Sequence, residues 1–178
     1  YMPGGRSTPF YFDRRTGKRL GQFAKGNGMG SFALLADNRI VHGPADRSGG
    51  VLTEASLSGD KVASHTDALD MIVDTRTMFL LTANKVTAMT RSNRRTLWSQ
   101  PIEVGNALAL AGKTLLVGSR DKVRALDAAN GRALWSGTVP GRALGLAVAN
   151  GALLVSTDTG AIVSFGQASD QPSAWILY

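Results

Sequence analysis

The clearest structural signal in this chain is the stretch VRALDAANGRALWS, which occupies residues 123–136. Its first five residues alternate at period two, as expected for a β-strand with one buried face. Asn130-Gly131 then favours a tight hairpin, because both central positions of such a turn need positive φ. The stretch therefore predicts two antiparallel strands, 123–127 and 132–136, joined by a short turn.

The same pattern returns along the chain. Trp98 and Trp135 each end a matching segment, and they lie 37 residues apart. Fainter copies of the turn occur nearer the start. Equivalent turn positions are separated by 42, 35 and 37 residues, at Gly17, Gly59, Arg94 and Gly131. The sequence is therefore a degenerate repeat whose loops vary in length.

Each repeat also contains two strands upstream of the hairpin. In the clearest copy they are predicted at 107–110 and 114–118, and similar pairs precede the other turns. Four short antiparallel strands every 40 or so residues are typical of a β-propeller blade, which must pack against its copies to bury both faces. A β-sandwich also has many short strands, but it gives no reason for Trp98 and Trp135 to recur at one place.

We therefore predict an all-β chain that forms a single β-propeller domain over 1–178, with about four blades of four antiparallel strands. The predicted blades are 1–25 (partial), 30–66, 67–100, 104–138 and 143–178 (partial).

Composition excludes several other classes of protein. The 178 residues include no cysteine, which excludes a disulfide scaffold, a thiolate zinc site and a cysteine nucleophile. No apolar run approaches the roughly 20 residues that span a bilayer. The first residue is not methionine, and we expect the chain to be cut from a longer polypeptide.

The net charge of +7 is concentrated near the start of the chain. Residues 1–25 contain six basic side chains, including Arg6 and Lys25, and one acidic side chain. Four of the basic residues flank the predicted hairpin tip Thr16-Gly17, namely Arg14, Arg15, Lys18 and Arg19. A solvated tip is the simpler interpretation, and an anion- or nucleic-acid-binding patch is the alternative.

Catalytic patterns are not evident. His42 and His65 are the only histidines, and neither has a second ligand nearby in the sequence. Gly112-Lys113-Thr114 fits a hairpin better than a phosphate loop, because no helix follows it. The carboxylates are interpreted as scattered or isolated: Asp67, Asp70, Asp74, Glu54 and Glu103.

The element Ala125-x-Asp127-x-x-Asn130-Gly131-x-x-x-Trp135 resembles the repeat of pyrroloquinoline-quinone-type (PQQ-like) propellers. Asp13-x-x-Thr16-Gly17 and the segment from Thr90 to Trp98 are partial matches. The resemblance implies that Trp98 and Trp135 dock between blades, and that Asp13, Gly17, Asp127 and Gly131 shape the turns. The chain departs from the pattern where tryptophan is expected, at Gly21, Ala63 and Ser173, and Trp175 is left unassigned.

The resemblance also implies a larger architecture, since such propellers usually close with seven or eight blades. The chain is then part of a larger propeller, or else a four-bladed ring in which residues 7–21 complete the blade begun by 143–166.

In function, the resemblance implies a non-enzymatic scaffold that binds a protein partner in the periplasm or outside the cell, without a cofactor. The alternatives are part of a PQQ-dependent dehydrogenase, which would hold PQQ with calcium, and anion or nucleic-acid binding by the basic hairpin.

Overall fold

The structure is a computed structural model that describes residues 1–5, 7–23, 30, 32–43 and 50–166. Within those ranges the chain forms fifteen β-strands joined by turns, with no helix. The predicted all-β fold is therefore confirmed. Several residues considered above lie outside the described residues: Arg6, Lys25, Ser173 and Trp175.

The chain divides into two compact units, Tyr1–Leu69 and Asp70–Tyr178. The first unit contains two antiparallel sheets with strands in chain order. The smaller sheet pairs β1 (Phe10–Phe12) with β2 (Arg19–Gln22), and the larger consists of β3 (Phe32–Ala36), β4 (Arg39–Gly43), β5 (Val51–Ser56) and β6 (Lys61–Thr66).

The second unit also contains two antiparallel sheets. The first consists of β7 (Ala68–Val73, which begins just before the unit), β8 (Thr77–Thr82), β9 (Lys85–Thr90) and β10 (Thr96–Pro101), with β10 at one edge. The second has five strands in the order β11 (Ala107–Ala111), β12 (Thr114–Asp127), β13 (Ala133–Ala149), β14 (Ala152–Thr157) and β15 (Ile162–Phe165).

The element β12 covers two strands that the sequence predicts as separate, 114–118 and 123–127. Fourteen extended residues would span about 46 Å. Yet the amide of Ala128 donates a hydrogen bond to the carbonyl of Lys113 at 2.9 Å, so the two ends meet. The chain reverses near Asp121, which has a φ of 54°. The predicted turn is thus present inside one continuous element.

The element β13 likewise joins the predicted strand 132–136 to the start of the next predicted blade, 143–178. Its first part pairs with β12 and its last part with β14. The sequence predicts a break between them, but three residues of the segment 137–142 have partners in β12: Gly137 pairs with Val123, Thr138 with Lys122 and Arg142 with Arg120. Val139 is also buried. The link between two predicted blades is therefore part of the sheet.

The second unit buries both faces of β12. Leu115 and Val117 pack with Phe79 and Leu81 of the neighbouring sheet. Leu116, on the opposite face, belongs to a second apolar cluster with β13 and β14. Burial of apolar side chains on both faces is the main stabilising contribution here. On the first face this burial requires that the two sheets stack face against face, as the repeat predicts.

Candidate functional site

Trp98 links the two sheets of the second unit. It lies on β10, and its indole Nε1 donates a hydrogen bond to the carbonyl of Ala128, 3.1 Å away, in the turn after β12. Its ring is partly buried against the apolar cluster and lies 6.0 Å from the ring of Phe79, measured between centroids. The side chain therefore joins a strand of one sheet to a turn of the next.

Gly131 completes this contact. A Cβ atom at residue 131 would lie only 2.7 Å from Cε3 of Trp98. The residue also has a φ of 74°, a conformation that disfavours any residue with a Cβ. Glycine is thus required at this position for two independent reasons, the backbone conformation and the close approach of the indole.

The turn that receives Trp98 has the same hydrogen bonds as two other turns. The amides of Gly131, Arg94 and Gly17 each donate to the carbonyl four residues earlier. All four positions taken as equivalent in the sequence have positive φ, including Gly59 at 91° and Arg94 at 58°. In the last turn, Asp127 Oδ1 accepts a hydrogen bond from the amide of Ala129 at 2.8 Å.

Asp13 shapes the first turn in a similar way. Its Oδ1 accepts hydrogen bonds from the amides of Thr16 at 2.7 Å and Arg15 at 2.9 Å. The bond from the Thr16 amide is the largest of the contacts that lower the pKa of the Asp13 carboxyl below its ordinary value of 3.8. These hydrogen bonds favour the charged form of the side chain.

We expect NMR titration to give a pKa for Asp13 below that of an ordinary aspartate. Because the folded-state pKa is lowered, the stabilisation is fully present above the unfolded-state pKa and is lost as pH falls through the folded-state pKa. Asp13→Asn should remove this part of the acid dependence. A titration midpoint at or above the ordinary value would contradict the turn geometry.

Trp135 has a different environment from Trp98. It is 41% exposed, and its ring packs edge-on against Phe165 with centroids 4.9 Å apart. The segment that follows Phe165 and Gly166, residues 167–178, lies outside the described residues. A docking role for Trp135 therefore stays a prediction. At Gly21, where the repeat lacks tryptophan, the phenol ring of Tyr11 packs over the glycine.

The basic hairpin lies between β1 and β2. Arg14, Arg15 and Lys18 are exposed on it, as the sequence predicts for a solvated tip. Arg19 is also exposed, but its guanidinium carbon lies 4.4 Å from the centre of the Phe10 ring. That distance fits a cation–π contact. Anion or nucleic-acid binding by this hairpin stays a prediction.

Sequence reasoning missed a buried pair in the first unit. The interpretation of Glu54 as an isolated carboxylate was wrong, since His65 Nε2 lies 2.6 Å from Glu54 Oε1. Both side chains are buried, and Arg39 Nη1 lies 3.6 Å from Glu54 Oε2. The feature that could have revealed this pair was the hairpin formed by β5 and β6. Its register pairs Leu52 with His65, which places His65 diagonally across from Glu54.

The carboxylates that a calcium–quinone site would need do not converge in the described residues. Asp70 Oδ1 accepts a hydrogen bond from the amide of Met71, and its Oδ2 accepts one from the amide of Leu108 at 3.2 Å, so this carboxylate joins two sheets. Glu54 is engaged with His65. No group of three or more His, Cys, Asp or Glu residues in the described ranges could hold a metal ion. These residues do not fit a calcium–quinone site.

The described part of the chain also has no helix of the length and apolarity needed to cross a membrane.

Residues 82–176, more than half of the chain, match the family model described as outer membrane protein assembly factor BamB. None of the curated proteins searched matches the sequence.

Solved structures resemble the chain at low sequence identity. BamB from Moraxella catarrhalis is 16% identical, with a TM-score of 0.65 over 97% of this chain and 58% of that one. The computationally designed protein Ika8 is 14% identical, with a TM-score of 0.73 over 91% of this chain and 53% of its own. A second design, Ika4, is 13% identical, with a TM-score of 0.68 over 82% of this chain and 95% of its own. These likenesses show the fold, and the chain spans just over half the length of BamB and Ika8.

Proposed function

This chain belongs to the PQQ-like propeller repeat family whose model is described as outer membrane protein assembly factor BamB, and we propose that it is a protein-binding scaffold in the assembly of outer-membrane proteins. It contributes blades to a non-enzymatic propeller that works in the periplasm and holds no cofactor. Its partner is a protein, and the remaining blades of the propeller lie outside this chain.

The observation that carries the proposal is the docking of Trp98 against Ala128 and Gly131. The contact joins two sheets at the turn after β12, where Gly131 is buried and its neighbours in the turn are exposed. Asn130 and Arg132, on either side of Gly131, are both exposed. A scaffold needs this combination, because loops held on a rigid base bind partners with little loss of conformational entropy.

The test is site-specific photocrosslinking of the full-length protein in living cells. A photoreactive amino acid replaces an exposed turn residue, Asn130 or Arg132, and a matched control carries it at the buried Val117. We expect the exposed positions alone to crosslink to a component of the machinery that assembles outer-membrane proteins. Failure to recover any such component from the exposed positions would overturn the proposal.

The dehydrogenase alternative makes a different prediction. If the chain were part of a PQQ-dependent dehydrogenase, the full-length protein with added PQQ and calcium would show cofactor absorbance and would reduce a dye. We expect neither signal, because the carboxylates described above do not converge. Dye reduction that requires both additions would favour the alternative.

A further inference from the structure

Four turns meet at one end of the second unit. In the first sheet, the turn between β7 and β8 contacts the turn between β9 and β10, since the amide of Arg91 donates to the carbonyl of Arg76 at 3.0 Å. In the second sheet, the amide of Ala128 donates to the carbonyl of Lys113 at 2.9 Å. Trp98 joins the two pairs through its bond to Ala128. These contacts bring the turns of adjacent sheets together.

This end of the unit is strongly basic. Segments 74–77, 90–97, 111–114 and 127–134 contain six basic and two acidic residues, a net charge of +4, compared with +7 for the whole chain. One of the two acidic residues, Asp127, directs its carboxylate into its own turn. The exposed cations are Arg76, Arg95, Lys113 and Arg132. Such a concentration of positive charge attracts an acidic partner.

An exposed leucine follows the cation at the start of β10 and at the start of β13. Leu97 is 44% exposed and Leu134 is 46% exposed, each two residues after an arginine. The first hairpin of the chain repeats the arrangement with Lys18 and Leu20, and Leu20 is 56% exposed. Each of the three leucines lies at a β-bulge of its strand, so the repeat itself places an exposed apolar side chain beside each cation.

We propose that this turn-end surface binds an acidic segment of a partner protein, whose carboxylates meet the cations and whose apolar side chains cover the leucines. The surface is defined by six residues: Arg76, Arg95, Lys113, Arg132, Leu97 and Leu134. The inference rests on the protein-binding role proposed above and specifies the chemistry of the partner.

The position of the leucines favours a peptide over other anionic partners. Two strand residues span about 6.6 Å, so each leucine lies back along its strand from the cation at the turn. A peptide can follow each strand from the cation to the leucine, so it can use both kinds of side chain at once. Nucleic-acid phosphates would use the cations and gain nothing from the leucines.

The test measures binding of a fluorescein-labelled peptide by fluorescence anisotropy, with the full-length protein. One peptide contains glutamate, serine and two leucines, and a second replaces both leucines with serine. We expect the double variant Leu97→Ser/Leu134→Ser to bind the leucine peptide about tenfold more weakly, which is the loss of two small apolar contacts. Its affinity for the serine peptide should not change. Leu154→Ser is the matched control, because Leu154 is 40% exposed on β14, and it should bind both peptides like the wild type.

The charges are tested in the same assay. Arg95→Gln/Arg132→Gln should weaken binding of both peptides by about tenfold at low salt and reduce the salt dependence. Arg120→Gln/Lys122→Gln removes the same charge at the turn inside β12, and it should bind like the wild type. Circular dichroism and urea unfolding confirm that every variant is folded.

The proposal is overturned if the leucine variant binds the leucine peptide like the wild type. It is also overturned if anionic vesicles or a DNA oligonucleotide bind with the same affinity and the same dependence on Leu97 and Leu134. In either case, a photocrosslink from Asn130, which is not one of the six residues of the surface, would show that the scaffold role stands without the binding of an acidic segment. Loss of that crosslink would instead count against the scaffold role itself.

Discussion

Replacing Trp98 by alanine is expected to lower the free energy of unfolding by about 3 kcal/mol, at the lower end of the range for large aromatic residues because the ring is only partly buried. The change removes the packing against Phe79 and Gly131 and takes the donor away from the carbonyl of Ala128. Urea unfolding of the full chain, followed by circular dichroism, measures the loss.

Two further variants separate the causes of that loss. Trp98→Phe keeps an aromatic ring but has no N–H donor, so it should lose about 1 kcal/mol through the hydrogen bond, together with some packing. Trp135→Ala should lose about 1–2 kcal/mol, because the indole of Trp135 is 41% exposed. If Trp135→Ala were as costly as Trp98→Ala, the exposed position of the Trp135 indole would be contradicted.

Gly131→Ala is expected to lower the free energy of unfolding by a similar amount, about 3 kcal/mol. A residue with a Cβ loses about 1–2 kcal/mol in a left-handed conformation. Overpacking adds about 1–3 kcal/mol, because the new Cβ would meet the indole of Trp98. The indole is held by its bond to Ala128 and cannot withdraw without breaking that bond.

Gly112→Ala is the matched control for this substitution. Gly112 lies in another turn of the same unit with a φ of 58°, and a Cβ there would meet nothing within 4 Å. It should therefore lose only the conformational part, about 1–2 kcal/mol. Equal losses at Gly112 and Gly131 would mean that the indole does not press on the turn.

The repeat predicts much of this fold, because its signals are local. Alternating apolar residues and Asn130-Gly131 specify strands and turns within a few positions of one another. Arg94, which the repeat aligns with three glycines, has a positive φ like them, although a residue with a Cβ rarely adopts this conformation. The all-β class and the PQQ-like family both rested on such local patterns, and both are confirmed.

Contacts between distant residues were harder to predict. The carbonyl that receives the Trp98 donor lies 30 residues away, on a turn that no periodicity assigns to it. Whether β13 breaks or continues depends on the partners that residues 137–142 find in β12. The pairing of Glu54 with His65 depends on the hairpin register of β5 and β6, which two scattered polar residues do not reveal.

The contacts of the basic hairpin were likewise only partly predictable from the sequence. The positive charge of Arg14, Arg15 and Lys18 was evident, and all three side chains are exposed. The position of Arg19 over the ring of Phe10 was not evident from the sequence, because it depends on how β1 and β2 pair. The turn-end surface of the second unit was missed for a related reason, since its cations come from four segments that only the stacked sheets bring together.

A double-mutant cycle between Trp98→Ala and Gly131→Ala tests the central claim, that an indole of one sheet docks on the turn of the next. The four proteins of the cycle are unfolded in urea and their free energies compared. We expect Gly131→Ala to cost only about 1–2 kcal/mol once Trp98 is alanine, since the strain of the backbone remains and the clash is gone. The coupling should therefore be about 1–2 kcal/mol. Strictly additive losses would contradict the docking contact.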